Sequence, residues 1–518
     1  MTPHRPISDS KPARTVAMMM SVTVIGKIMG LLRDRFLGGQ FGTDTAESIA
    51  FAQASILPRT FLDIMFAAAF TASFIPVFTN YMETRGKQAA FDLAAIFISF
   101  VIVLTAAVAV LSIVFAQPII SLVMREEYPP GTIELAVTLL RYMLPLMVFS
   151  GLAFAFTGML QTIGEFRIPA AMSIVSNGII LAYFFLFIDR FGVYGLAIAF
   201  LIGWGMQAVI QVPFLVKHKF RFRFRLNLKD PGLRQIGKLA LPAMLSTWIV
   251  PINLLINIMA SGQLYGGEHG IVAISFAHSL FAIVSGLFVL SVANVIFPKF
   301  SRLVAAKDMK GFGDTVNETF RVLLFFLLPL TVGLMTLATP LVRLILQTGL
   351  FGETSVQITG TALMYYAIGI IGYGLLIVLG RVCFAMHNGR TPVIAAIVAI
   401  IVNAVLSFAL APVLEIAGPA LASAIASTSG ALILVVVLTH SKVLKWQTST
   451  FLDIAKMAAA TALMLGVVLF GIRLAAQMHV ILQVAVPAAL GGIAYLGLAA
   501  VLRIKEMNWI KNIIKRNN

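Results

Sequence analysis

Apolar stretches of about 20 residues follow one another along this chain with only short breaks, and each is long enough to cross about 30 Å of hydrocarbon. In hydrocarbon the backbone must satisfy its own hydrogen bonds, so a spanning segment is either a helix or part of a closed barrel. The runs are continuous rather than alternating, which selects helices. Fourteen spans are predicted, at about 15–38, 55–79, 90–117, 133–160, 168–188, 193–215, 238–261, 271–298, 320–339, 358–380, 391–411, 418–440, 452–474 and 480–503. Composition agrees: the 518 residues are 59% hydrophobic and 11% charged. Residues 1–14 are polar and basic and no small-residue cleavage site follows them, so the first span is expected to be retained rather than removed as a signal peptide.

A formal net charge of +17 would suggest nucleic acid in a soluble protein, but the placement of the cations points elsewhere. The segment between spans six and seven carries Lys217, Lys219, Arg221, Arg223, Arg225, Lys229, Arg234 and Lys238. Further cations cluster at Arg85 and Lys87, at Lys299, Arg302, Lys307 and Lys310, at Lys442 and Lys445, and in the tail at Lys505, Lys511, Lys515 and Arg516. With both termini cytoplasmic, all of these fall on the cytoplasmic side, as the positive-inside rule requires. The opposite loops hold acids such as Glu126, Glu127, Glu268, Glu353 and Glu415. The basic excess therefore reads as membrane topology, and no nucleic-acid partner is expected.

The chain also repeats itself. Arg167-Ile-Pro169 opens span five and Gly195-Leu-Ala197 follows in span six; Arg390-Thr-Pro392 opens span eleven and Gly418-Pro-Ala420 follows in span twelve. Phe74-Ile75-Pro76 closes span two and Ile296-Phe297-Pro298 closes span eight. The offsets, 223 and 222 residues, nearly coincide. Six spans is an even number, so orientation is preserved and the repeats are parallel, related by an axis along the membrane normal. The expected architecture is an all-α polytopic membrane protein in four parts: a six-helix bundle over about 1–216, a basic cytoplasmic linker over about 217–234, a second six-helix bundle over about 235–440, and an appended helix pair with a basic tail over about 441–518. Two facing parallel bundles would place a cavity on the pseudo-two-fold axis.

Against so apolar a background, intramembrane charge is informative, because a Lys or Arg at the centre of a span costs about 2.5–3.5 kcal/mol on insertion scales. Span one carries Lys27, Arg33 and Asp34; span two carries Arg59, with Asp63 one turn later. Lys27 and Asp34 share a helix face, with Arg33 on its flank. Gly26 and Gly30 form a small-xxx-small pair that permits close helix approach. Several cations in one membrane cavity suit an anionic cargo such as a phosphate or pyrophosphate. The bland alternative makes Arg33, Asp34 and Arg35 outer-end markers and lets Arg59 snorkel, which fits Arg35 best. Asn177, Asn253, Asn257, Ser279, Asn294 and Asn403 read as interhelical hydrogen-bond glue. His278 in span eight is either a cargo contact from the second half or a satisfied buried histidine. Glu134 and Arg141 are expected to pair near the outer end of span four.

Enzyme chemistry is hard to find. There is no G-x-x-x-x-G-K-[ST] loop for ATP and no His/Cys/carboxylate cluster with metal spacing, so no cofactor or metal is expected. The single Cys383 excludes an intramolecular disulfide.

In order along the chain stand Gly30-Leu-Leu-Arg33-Asp34, Phe41-Gly42, Leu57-Pro58, Ala69-Phe70, Phe74-Ile75-Pro76-Val77-Phe78, Ser285-Gly286, Phe297-Pro298-Lys299, Gln347-Thr-Gly349-Leu-Phe351 and Thr391-Pro392. Their order and spacing over about residues 15–505 resemble the MurJ (MviN) lipid II flippase family of the multidrug/oligosaccharidyl-lipid/polysaccharide exporter superfamily. The resemblance implies a transporter, not an enzyme, in the bacterial cell membrane. It would act as a monomer and move the lipid-linked peptidoglycan precursor, lipid II, from the inner to the outer leaflet. Arg33 and Asp34 match the family's essential pair. Lys27 stands where relatives often have Arg, Arg59 lies one turn before the position of a further family Arg (here Leu62), Ser279 beside His278 replaces another, and Glu47 is the nearest acid before span two. The implied substrate-binding set is Lys27, Arg33, Asp34, Arg59, Asp63 and His278. Some members have a sodium site built from spans seven, eleven and twelve; here those spans offer Asn257 and Asn403 without a carboxylate. The alternatives are a flippase for an O-antigen or teichoic precursor and, from a different transport class, a drug/cation antiporter, which a cationic cavity disfavours.

Overall fold

The computed structural model describes residues 10–63, 65–124, 128–247, 249–262 and 268–507; within them, the side chains of 10–20, 57, 59–72, 241–250, 268–269, 287, 294–295 and 298 fall outside the description. Glu126, Glu127, Lys511, Lys515 and Arg516 lie outside the described residues, as do the side chains of Arg59, Leu62, Asp63, Glu268 and Asn294. The described chain is built of helices joined mostly by short turns, with a longer irregular linker between Lys217 and Pro231. Among the described residues ten helices are long and apolar enough to cross a membrane, and a bent pair, Glu353–Ile368 with Ile370–Ala385, makes up to eleven. These cover spans three to six and eight to fourteen. The helix Ser10–Phe41, the pair Ala46–Asp63 with Met65–Thr84, and the pair Pro231–Thr247 with Ile249–Gly262 occupy the positions of spans one, two and seven.

Span ten departs from the single straight run expected at about 358–380, because it bends by 45° at Gly369. There the backbone comes so close to span twelve that a Cβ on Gly369 would lie 2.8 Å from Ala424 Cα. Small residues make such contacts possible throughout spans eleven and twelve. Ala395, Ala396, Ala399, Ala420, Ala424 and Gly430 are buried along Arg390–Leu414 and Ala417–His440, and a Cβ on Gly430 would meet Ala395 O at 3.0 Å. Without a hydrophobic drive between helices in lipid, this backbone proximity is how spans associate. Large apolar side chains lie on the outside instead: Val110 is 59%, Phe185 69% and Ile493 71% exposed. Such exposure would be a liability in water and is ordinary against acyl chains.

Two compact units are present. The first comprises Met1–Leu37 and Thr45–Pro251, the second Gly38–Asp44 and Ile252–Asn518. In the first, Phe74, Phe78, Phe91 and Phe97 form a stacked core, with Phe74 and Phe97 centroids 4.5 Å apart. The basic linker is fastened to it: Phe220 sets its ring edge-on to Phe91 at 5.3 Å, and the Arg225 amide donates to Ser99 Oγ at 2.9 Å. Linker cations Arg221, Arg223 and Arg225 remain exposed. In the second unit the appended pair, Thr448–Ala475 with Val480–Val501, packs on Met309–Leu346. Tyr495 OH donates to Phe325 O at 2.6 Å, Arg321 pairs with Glu506 at 2.8 Å, and an apolar cavity of about 420 Å³ is lined by Phe326, Leu330, Leu334, Val468 and Ala488 among others. The expected pair in span four does not form: Glu134 and Arg141 are both exposed and make no ion pair among the described residues. Seven residues apart they share a face, but two turns of helix are too long a reach.

Candidate functional site

Among its described side chains, the first unit buries one arginine inside its membrane-spanning part. Arg33, on the helix Ser10–Phe41, is 8% exposed. Span five comes alongside because span one is small at the crossing: a Cβ on Gly26 would lie 3.1 Å from Ser173, and one on Gly30 would lie 3.8 Å from Asn177 Nδ2. Asn177 then bridges the two helices. Its Nδ2 donates to Gly26 O at 3.3 Å and to Ser173 Oγ at 3.2 Å, while its Oδ1 accepts from Arg33 Nη1 at 3.0 Å. Arg33 also donates to Asp34 Oδ1 from Nε at 3.0 Å and from Nη2 at 2.7 Å. Span six closes the site from one face: Phe200 stands 5.7 Å from the guanidinium carbon and is itself stacked on Trp204 at 5.8 Å.

This arrangement solves the cost of an intramembrane cation by pairing, hydrogen bonding and cation–π contact together. It also leaves capacity. A guanidinium has five N–H donors, and three are engaged here. Both contacts to Asp34 fall on the same carboxylate oxygen. An arriving phosphate oxygen can therefore take a free donor and compete with Asp34 for the others. Charge-assisted, bidentate exchange of this kind is what the planar fork provides and a lysine does not.

The remaining predicted site residues are distributed as follows. Lys27 is exposed on the same helix and forms no hydrogen bond or ion pair among the described residues, so the structure does not join it to Arg33 or Asp34. Arg59 and Asp63 lie on Ala46–Asp63, with their side chains outside the described residues. His278 belongs to the second unit, half-buried in an aromatic setting: Tyr366 lies edge-on at 5.8 Å and Phe281 at 6.2 Å.

Next to that setting, the second unit holds a neutral polar network at spans seven, ten, eleven and twelve. Asn257 Nδ2 donates to Tyr366 OH at 2.8 Å and Ser423 Oγ at 2.7 Å. Asn403 Nδ2 donates to Asn257 Oδ1 at 3.0 Å and Asn253 O at 3.2 Å. Ser407 Oγ donates to Asn257 Oδ1 at 3.1 Å, and Ser423 Oγ to Asn403 Oδ1 at 3.2 Å. The amide oxygens of Asn257 and Asn403 thus already accept hydrogen bonds, and among the described residues no carboxylate joins them. This donor set does not fit the sodium site that some relatives of the resembled family carry.

Sequence reasoning placed Asn177 among the interhelical glue and did not single out Phe200, because an aromatic in an apolar span carries no signal of its own. It also passed over Arg381 in span ten, although a charge in an apolar helix was the available clue.

A polytopic helical bundle whose spans shelter a paired arginine has the architecture of a membrane transporter. The family model for the lipid II flippase MurJ matches residues 39–487, and the chain belongs to that family. It is 27% identical over 465 residues to a probable lipid II flippase MurJ of Vibrio cholerae, covering 88% of each chain. It is 26% identical over 431 residues to the lipid II flippase MurJ of Burkholderia cenocepacia, covering 81% of this chain and 82% of that one. Among solved structures, a lipid II flippase MurJ in an inward closed conformation shares the fold at a TM-score of 0.80 and 24% identity, over 95% of this chain and all of that one. An inward-facing multidrug resistance MATE family transporter of the MOP superfamily has a TM-score of 0.69 at 15% identity, over 82% of this chain and 98% of that one.

Proposed function

We propose that this chain is the flippase that carries lipid II, the lipid-linked precursor of peptidoglycan, from the inner to the outer leaflet of the bacterial cell membrane, and that it acts as a monomer with both termini in the cytoplasm. Family membership supports the cargo, and the observation that carries the mechanism is Arg33, buried yet held by exchangeable partners. Arg33 takes the pyrophosphate, and Asp34 holds the guanidinium in place before arrival and recaptures it on release. Lys27, exposed and unpaired among the described residues, adds a point charge; Arg59 and Asp63 supply the equivalent pair from span two, and His278 contacts the cargo from the second unit. The apolar cavity beside the appended pair suits a hydrocarbon chain, which a polyprenyl-linked cargo brings with it.

The same reading holds that the two bundles arose by duplication. Support comes from a shared device: in each unit an asparagine of the fifth span of the repeat bridges back to its first span. Asn177 reaches Arg33 and Gly26 O, and Asn403 reaches Asn257 and Asn253 O. Only the first copy is charged, so the anion is held mainly by the N-terminal half.

The deciding experiment is complementation of a strain depleted of its own lipid II flippase. Growth restored by this chain, together with lipid II appearing in the outer leaflet, is the expected result. Normal membrane abundance with neither would reject the assignment.

A further inference from the structure

Span ten carries a cation that the transport reading does not use. Arg381 lies on the helix Ile370–Ala385, one turn, or about 6 Å, before its end. It is half-buried, and its guanidinium carbon sits 5.4 Å from the ring centroid of Phe297 on span eight. Elsewhere in the second unit Arg321 holds Glu506 and Arg343 holds Glu353. Among the described residues Arg381 has no such partner and no hydrogen bond. Its own helix and span eight offer none, since residues 269–305 and 370–389 contain no Asp or Glu, and Asp314 and Glu318 on the neighbouring helix Met309–Leu346 are exposed and form no ion pair with it.

A guanidinium laid against an aromatic ring keeps its N–H donors pointing out in its own plane. That edge is the fork that matches two oxygens of a phosphate. In apolar surroundings an unpaired arginine is costly, and an anion at headgroup depth removes the cost. Beyond Phe297 the helix of span eight continues to exposed Lys299 and Arg302, and the turn after span ten leads to exposed Arg390, so anions are drawn towards the same end of both helices.

We propose that Arg381, backed by the Phe297 ring, is a second phosphate site, taking a lipid-borne phosphate at the membrane surface. It stands on its own residues and does not depend on the role given to Arg33. The phosphate comes either from a polyprenyl pyrophosphate or from the headgroup of a bulk anionic phospholipid, and the two sources are separable.

The test uses the purified full chain and two probes. Undecaprenyl pyrophosphate is titrated in neutral detergent, and retained phosphatidylglycerol is measured by native mass spectrometry against phosphatidylcholine. Arg381→Ala should weaken binding of at least one anionic probe by about tenfold, the scale of a lost charge-assisted pair. Arg381→Lys should recover only part of it, since the charge returns without the fork. Phe297→Leu, which keeps the cation and removes its support, should weaken the same probe by a smaller factor. Loss confined to undecaprenyl pyrophosphate assigns the site to cargo; loss confined to phosphatidylglycerol assigns it to bulk lipid. Affinities for both probes unchanged in Arg381→Ala overturn the proposal. If that variant does not purify as a single species, unchanged affinities in both Arg381→Lys and Phe297→Leu overturn it equally.

Discussion

At Arg33 the proposed mechanism asks a single side chain to be stable in a membrane and still available to a ligand, and its partners are compatible with both. Asp34 neutralises it, Asn177 orients it and Phe200 covers one face. Each contact is modest: a hydrogen bond to a charged group contributes about 1.5–3 kcal/mol, so a pyrophosphate can displace one without unfolding the site. Arg33→Ala should abolish rescue of a flippase-depleted strain while membrane abundance stays normal, because removing an intramembrane charge eases insertion. Arg33→Lys should lose most of the rescue, since it keeps the charge and discards the fork. Lys27 should tolerate Arg but not Ala or Glu. Full rescue by the Lys27→Ala, Arg33→Ala double variant would remove the cluster from the mechanism. Asn177→Leu makes a different forecast: the guanidinium loses its tether, so cargo affinity falls, and once Arg33 is already Ala the Asn177 change should add little further loss. Arg33 was legible in the sequence because charge is scarce there. Asn177 was legible only as a polar residue in a span, since which helix it bridges is decided by how spans one and five pack.

Among elements, the C-terminal end of span one shows why two weak motifs sit where they do. Phe41-Gly42 and Gln347-Thr-Gly349-Leu-Phe351 are far apart in sequence, and each taken singly is unremarkable in a chain with 40 glycines. In the second unit they meet. Leu350 N donates to Gly39 O at 2.8 Å, Thr43 Oγ1 and Ser355 Oγ share a hydrogen bond at 2.8 Å, and fully buried Phe351 packs edge-on to Phe276 at 5.8 Å. Gly349 has φ +50°, and a Cβ there would overlap the Gly39 carbonyl. Gly349→Ala therefore combines a left-handed backbone that disfavours a side chain, by about 1–2 kcal/mol, with displacement of that carbonyl. The purified variant should melt at a lower temperature than the parent, whereas Gly352→Ala, at a glycine with open space around it, should not. Equal melting of the two variants would show that the junction contributes nothing to the fold. The spans themselves were readable from hydrophobic runs, but this junction was not, because it is built from backbone contacts between segments of low hydrophobic signal. The bend at Gly369 was hidden for the same reason: apolar content runs through it unbroken, and only the approach of Ala424 reveals it.

For the whole molecule, the proposed mechanism divides the charges: those outside the spans would set orientation, those inside them would hold cargo, and the two tasks would fall on different residues. The linker cations Arg221, Arg223 and Arg225 are exposed, and the linker backbone is tied to the first unit at Phe91 and Ser99, a placement suited to holding a basic segment against a membrane surface rather than in a binding site. About 1 kcal/mol per basic residue near an anionic leaflet, summed over the linker, is enough to dominate the choice of side. Fusions ending in the 217–230 segment or after Lys445 should give fluorescent cytoplasmic reporters and inactive alkaline phosphatase; fusions near Gly352 and Glu415 should give the reverse. Replacing the linker Lys and Arg residues by Gln should lower the fraction correctly oriented, and therefore abundance, while leaving the cargo affinity of the correctly inserted fraction within about twofold, since the proposed cargo contacts lie in the spans. Normal topology with lost cargo binding would reverse this division, making the linker a recognition element and the positive-inside bias the property of the remaining basic turns.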